Sequence, residues 1–250
     1  MRKKVIVLGG ASGIGKAIAE RFAKEGWVVI VASIDLVSTE SVVNNLEGEG
    51  HTAMSVDVTS SVQLESLKEM IAEKFTSFDV LINSVGISGS APVLGGDFTA
   101  WDRFLQVMMY GAVKACRVLT PLMEDYGRII HITSIHHERV AAGSSAYGMA
   151  KAAITQLTRS LAVELAPRNI LANTIAPGFV NTPMSMKEDG KNELESEWFK
   201  DNYITNKHLP LKRAARPEEI AGVAWFLAGP DSSYMTGSIV TVDGGLTITF

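Results

Sequence analysis

Three residues in the middle of the chain have the types and spacing that proton chemistry needs. Ser134 follows the apolar run 128–133, and thirteen residues later comes Tyr147-Gly148-Met149-Ala150-Lys151. Residues four apart on a helix share one face, so a phenol and an ammonium converge beside a strand-end hydroxyl. A free phenol, with a pKa of about 10, is a poor base at neutral pH. A neighbouring positive charge favours the phenolate, and each tenfold gain in acidity needs only about 1.4 kcal/mol. Together these groups can pass a proton to or from oxygen while an alcohol and a carbonyl interconvert. A Tyr-x-x-x-Lys pair alone is commonplace on helices as surface packing, so the reading rests on what accompanies it.

What accompanies it is a glycine turn. Leu8-Gly9-Gly10-Ala11-Ser12-Gly13-Ile14-Gly15 ends a short apolar run and opens an amphipathic one. Glycines at this junction permit a tight turn, close backbone approach to a pyrophosphate, and close helix-on-strand packing. The helix N-terminus then offers unpaired N–H groups and positive partial charge to the anion. A lone glycine cluster is weak evidence; between a strand and a helix it reads as a phosphate cradle.

The elements that hold these groups alternate short apolar runs with longer amphipathic ones, the pattern of βαβ units around a parallel sheet. Strands are predicted at residues 5–8, 28–32, 52–56, 80–82, 128–133, 170–175 and 238–242. Helices are predicted at 16–24, 42–49, 62–75, 101–123, 147–166 and 217–227. Pro167 stops the Ala-rich helix and Pro217 starts the last one. Without repeats or a linker, residues 1–250 read as one domain, an α/β, Rossmann-type, doubly wound parallel sheet of about seven strands flanked by helices. One stretch, 183–210, breaks the rhythm with charged residues and with Met184, Met186, Trp198, Phe199 and Tyr203. A polar insertion of this length predicts a substrate lid, with a surface helical pair for subunit contact as the alternative.

Composition narrows the partners. Lys and Arg number 23 against 27 Asp and Glu, a formal charge of −4. That balance offers no electrostatic footing on nucleic acid or anionic lipid. The single cysteine, Cys116, excludes an intrachain disulfide framework and a multi-cysteine zinc site. Arg2-Lys3-Lys4 precedes an apolar run that stops after four residues at Gly9, short of the about 7–15 that a secretory signal needs. No apolar stretch approaches the about 18 residues that span a bilayer. The expectation is a soluble, cytoplasmic protein whose partner is a small molecule, with no nucleic acid, no membrane and no metal. Among the histidines, His131 alternates with Ile130 and Ile132 and reads as core, and His51 and His208 read as loop residues. His136 and His137, with Glu138 and Arg139, should line a substrate mouth, and no third metal ligand sits at a useful spacing.

The spacing Gly-x-x-x-Gly-x-Gly resembles the short-chain dehydrogenase/reductase family, and ordered matches continue along essentially the whole chain. They are Asp57-Val58, Asn83-Ser84-Val85-Gly86 (with Val85 where the family has Ala), Ser134 with Tyr147 and Lys151, Pro177-Gly178-x-Val180-x-Thr182, and Asp243-Gly244-Gly245. The resemblance implies a nicotinamide cofactor and an oxidoreductase acting on CH–OH groups. It makes Tyr147 the acid/base, gives Lys151 a second role on the nicotinamide ribose, and sets Ser134 on the substrate oxygen. It assigns cofactor binding to Gly9, Ser12, Gly13, Ile14, Gly15, Ser33, Asp35, Asp57, Val58, Asn83, Gly86, Pro177, Gly178, Val180 and Thr182, together with Tyr147 and Lys151. It also implies pairing of the helices at 101–123 and 147–166 across a two-fold axis in a homotetramer, or at least a dimer. Met108, Met109, Val113, Val118, Leu157, Leu161 and Leu165 are the apolar residues available for that pairing.

Two positions depart from the family pattern. Met108 stands where the family usually has an Asn that holds a water linking the lysine to solvent, and Met has only a weak thioether acceptor. Leu8 replaces the usual Thr. The dinucleotide preference should be set just after the second strand, at Ala32-Ser33-Ile34-Asp35. NADP enzymes of the family place Arg or Lys there or just before the second glycine. This chain has Ser33, Ile34 and Ser12, with Asp35 to repel a 2′-phosphate, so NAD is expected and NADP disfavoured. For the substrate, Ser134-Ile135-His136 resembles the Ser-x-His run of glucose 1-dehydrogenase-like members, with Glu138 one residue late. Polar side chains suit a sugar or polyol, and His136, Met184 and Trp198 are the expected substrate contacts. The alternatives are reduction of 3-oxoacyl thioesters, with Arg139 and Lys187 as carrier contacts, and a dinucleotide-binding regulator without turnover. Met108 favours the regulator; retention of Tyr147 and Lys151 opposes it.

Overall fold

Strand β1 (Lys4–Leu8) is buried along its whole length, as the centre of a parallel sheet covered on both faces must be. The structure, a computed structural model, describes residues 2–187 and 189–249. Strand β1 lies between β2 (Val28–Ser33) and β4 (Phe78–Asn83). With β3 (Thr52–Ser55), β5 (Met123–Ile132), β6 (Leu171–Pro177) and β7 (Ile239–Val242) they form a seven-stranded parallel sheet in the order β3-β2-β1-β4-β5-β6-β7. The order reverses between β1 and β4, and a crevice opens there at the carboxyl ends of the strands.

Alternate strand residues face opposite ways. Val5, Val7, Val29, Val31, Ile82 and Ile130 pack with Phe22 of α1 (Gly13–Lys24) and Leu227 of α8 (Pro217–Ala228). Ile6, Leu8, Ile30, Leu81 and Ile129 pack with Leu64 and Ile71 of α3 (Ser61–Phe75), Leu119 of α5 (Gly111–Leu119) and Leu161 of α6 (Ser145–Glu164). Each such side chain, fully buried, contributes about 1.5–3 kcal/mol of transfer free energy. A third cluster, Phe104, Met108, Ala112, Ala146, Ala150 and Ile154, joins α6 to the segment before α5.

Several boundaries differ from expectation for local reasons. Helix α2 runs Leu36–Asn44 rather than 42–49, because Asp35 caps it by accepting from Ser38 N. The helix expected at 101–123 is four pieces. Asp97 caps α4 (Phe98–Phe104) through Thr99 N and Ala100 N, a π-helical turn spans Leu105–Tyr110, α5 follows, and a 3₁₀ turn closes at Thr120–Leu122. Pro121 lacks the N–H that would continue α5. Strand β5 therefore begins at Met123, paired with Phe78, and a register shift precedes the Val80–Arg128 pair. Met108 and Leu161, expected at a subunit surface, are buried inside the protomer. Among the described residues, no helix is long and apolar enough to cross a membrane.

The 183–210 segment is a series of short turns, including Pro183–Ser185, Glu193–Glu195, α7 (Glu197–Phe199) and a π-helical turn at Lys200–Thr205. Glu188 lies outside the described residues. Phe199 packs edge-on to Phe179, and Tyr203 packs on both rings. Adjacent helical residues point about 100° apart, so Trp198 faces outward: it is 54% exposed and rests on Tyr203.

Candidate active site

A cleft of about 940 Å³ lies along the carboxyl ends of the strands. Of the three residues picked out by spacing, Tyr147 and Lys151 line it, and Ser134 stands behind the lining beside Tyr147. Ser134 is buried in extended backbone after β5, and its Oγ accepts from His136 N at 3.2 Å. Tyr147 and Lys151 lie in the first two turns of α6, with Lys151 Nζ 5.6 Å from the Tyr147 ring centre. Burial pushes the Tyr147 phenol above the ordinary value, and the neighbouring Ser134 hydroxyl opposes that rise. Lys151 is 4% exposed and donates to Ile132 O at 3.0 Å. Burial pulls its ammonium down to about 8, so at neutral pH the charge is held at a cost and remains available to the phenol.

The glycine turn is shaped for an anion. Gly9 and Gly13 have φ of +74° and +52°, and a Cβ on Gly9 would meet the Ser84 carbonyl at 2.9 Å. Gly15 packs too tightly for any side chain, since a Cβ there would lie 2.2 Å from Gly9 O. Ser12, at the N-cap of α1, makes no side-chain cap bond, and the first turn carries no acidic residue. The first-turn N–H groups are thus left to an external acceptor, and the cradle fits a dinucleotide pyrophosphate.

The remaining expected cofactor residues, Asp35 apart, divide into two groups. Ser33, Asp57, Val58, Gly86 and Thr182 line the cleft with Gly9, Ser12, Gly13 and Ile14. Asn83, Pro177, Gly178 and Val180 stand behind it. Asn83 Oδ1 accepts from Val85 N at 3.2 Å and so sets the turn that presents Ser84, Val85 and Gly86. Gly178 packs on Asp243, and Val180 bridges to Ala215, which together deliver Thr182 and Met184 to the cleft. Asp35 does not line the cleft. The Ser38 hydroxyl, then its N–H, hold the Asp35 carboxyl below the usual range, so it remains an anion at the tip of α2.

Of the expected substrate contacts, Met184 lines the cleft, and Trp198 and His136 do not. His136 packs edge-on against Tyr147, with ring centres 5.6 Å apart, and its Nδ1 is buried without a hydrogen-bond partner. Burial lowers its pKa, which keeps the ring neutral. Arg139 is held by Thr247 O. His131 is core: Nδ1 pairs with Thr158 Oγ1 at 2.8 Å, and burial, with a smaller effect of Lys151, lowers its pKa to about 4. Met108 is the buried residue of the π-helical turn, 1% exposed and packed with Ala146 and Ala150. Sequence reasoning missed the far wall, where Asp97, Thr99, Asp102, Arg103, Gln106 and Val107 line the cleft. Their recurrence every three to four residues was the available signal.

Known proteins resemble the chain along nearly its whole length. A family model described as enoyl-(acyl carrier protein) reductase matches residues 9–247. The 3-oxoacyl-acyl-carrier-protein reductase of Thermotoga maritima is 34% identical over 250 residues, covering 98% of each chain. The meso-2,3-butanediol dehydrogenase of Serratia marcescens is 32% identical over 246 residues, covering 98% of this chain and 94% of that one. Among solved structures, the ligand-free aldohexose dehydrogenase of Thermoplasma acidophilum superposes with a TM-score of 0.85 at 30% identity, covering 100% of this chain and 95% of that one.

Proposed function

The chain belongs to the short-chain dehydrogenase/reductase family as an NAD(P)-dependent oxidoreductase of alcohol and carbonyl groups, and we propose that it acts on a sugar or polyol, with NAD preferred. The observation that carries the catalytic assignment is Tyr147 on the cleft wall, with Lys151 beside its ring and Ser134 beside its hydroxyl. A bound nicotinamide dinucleotide supplies the hydride acceptor or donor. Ser134 orients the substrate oxygen, and Tyr147 takes or gives its proton. Lys151 carries the charge that favours the phenolate and would hold the cofactor ribose. Gly9, Ser12, Gly13 and Ile14 hold the pyrophosphate, while Ser33, Asp57, Val58, Gly86 and Thr182 border the rest of the cofactor.

The unpartnered Nδ1 of His136 beside Tyr147 supports a hydroxylated substrate, because a buried polar atom left unpaired costs about 1–3 kcal/mol. A second reading, reduction of a 3-oxoacyl thioester, draws on the Thermotoga relative and on the apolar cover offered by Met184 and Ile87. The attachment of Arg139 to Thr247 O counts against a carrier contact there. Initial rates on aldohexoses, polyols, vicinal diols and 3-oxoacyl thioesters, each with both dinucleotides, decide between them. A thioester with the highest kcat/KM would replace the sugar reading. His136→Ala should lower kcat/KM for the best polyol about tenfold and leave dinucleotide affinity unchanged.

Assembly as a homotetramer belongs to the same proposal. Met109, Val113, Val118, Leu157 and Leu165 remain partly exposed on the π-helical turn, α5, α6 and the residue after it. Light scattering at micromolar concentration tests it, and a monomer would overturn it.

A further inference from the structure

Two cations and three carboxylates face the cleft: Lys151 and Arg103 against Asp57, Asp97 and Asp102. Most are engaged. Lys151 is buried against Ile132 O, Asp57 accepts from Thr59 N and Oγ1, Asp97 caps α4, and Asp102 accepts from Gln106 Nε2. Arg103 is different. It is exposed on α4 and, among the described residues, enters no ion pair and no side-chain hydrogen bond. It borders a recess shared with Ser12, Gly86, Ile87 and Met184, which sets it across the cleft from the start of α1.

We infer that Arg103 is the phosphate-binding cation of the dinucleotide site, closing over the pyrophosphate from the α4 wall while the first-turn amides of α1 hold it from below. The inference rests on the dinucleotide reading of the cleft. A helix N-terminus supplies only about half a positive charge, and the pyrophosphate carries two negative charges into a cleft lined by three carboxylates. The guanidinium supplies a full charge and a planar fork that can donate two hydrogen bonds to phosphate oxygens. Its place along the cleft favours the pyrophosphate over a 2′-phosphate. Gly86 neighbours Lys151 Nζ, which is 3.7 Å from its Cβ position, whereas Ser33 and Ile34 do not border the recess.

Titration calorimetry with NADH, NADPH, ADP and adenosine tests the assignment on the full-length protein. Arg103→Gln keeps an exposed polar side chain, so melting should change little. It should weaken NADH and ADP about tenfold, the loss of one charge-assisted pair, and leave adenosine within about twofold. Arg103→Lys should recover part of the loss, and added salt should weaken the wild type more than the Gln variant. A loss confined to NADPH would assign the guanidinium to the 2′-phosphate and overturn the pyrophosphate placement. Unchanged NADH and ADP binding in Arg103→Gln, or a parallel fall for adenosine, would overturn the inference. A wild type that binds neither dinucleotide would overturn the cofactor reading beneath it.

Discussion

Replacing Lys151 with Met should abolish turnover and yet stabilise the protein. The ammonium is buried, and its pKa falls from the ordinary 10.5 to about 8. At about 1.4 kcal/mol for each tenfold change in proton affinity, that displacement represents about 3 kcal/mol against the folded state. Met has similar length and no charge. It forfeits the hydrogen bond to Ile132 O, worth about 1 kcal/mol, so the net gain is about 2 kcal/mol at pH 7. For a chain of this length that is about 4–8 °C in Tm. The pH dependence has a definite sign. Below about 8 both folded and unfolded chains hold the proton, and the cost is fully present. Between about 8 and 10.5 the unfolded chain alone keeps it, so wild-type stability rises with pH. The advantage of Lys151→Met should therefore shrink and close near about pH 10. Denaturant titration of both proteins at equal concentration, from pH 7 to 10, measures this. A variant no more stable than wild type at pH 7, or a gap that does not move with pH, would refute the reasoning.

Three further outcomes are expected. Tyr147→Phe removes one hydroxyl, so turnover should fall about 10²–10⁴-fold while dinucleotide affinity holds; near-normal steady-state turnover would sink the acid/base assignment. The wild type should prefer NAD at least about tenfold in kcat/KM, and Asp35→Ser, which can still cap α2, should narrow that preference with little change in melting; a wild type that favours NADP would contradict the charge argument. Met108→Asn places an amide among Ala146, Ala150 and Ile154, so it should cost about 1–3 kcal/mol of stability and raise turnover or shift its pH profile. An unaltered rate and profile would mean that proton escape never limits the reaction.

The sequence by itself determined the βαβ rhythm, the parallel sheet, the glycine cradle and the Ser134, Tyr147 and Lys151 set. All of these are local in origin: apolar periodicity, residues four apart on one helix face, and glycines where the chain must turn. Element ends were less legible because caps decided them, as Asp35 and Asp97 did for α2 and α4. Only tertiary structure decided which side chains enter the cleft. Phe199 took the inner position in its turn and left Trp198 outside, and Met108 turned into the α6 contact rather than towards a partner subunit. Arg103 reached the cleft only because α4 folds over the carboxyl edge of the sheet, far in sequence from the glycine turn it faces. Spacing along one element is written in the chain; the meeting of two elements depends on how all the others pack between them.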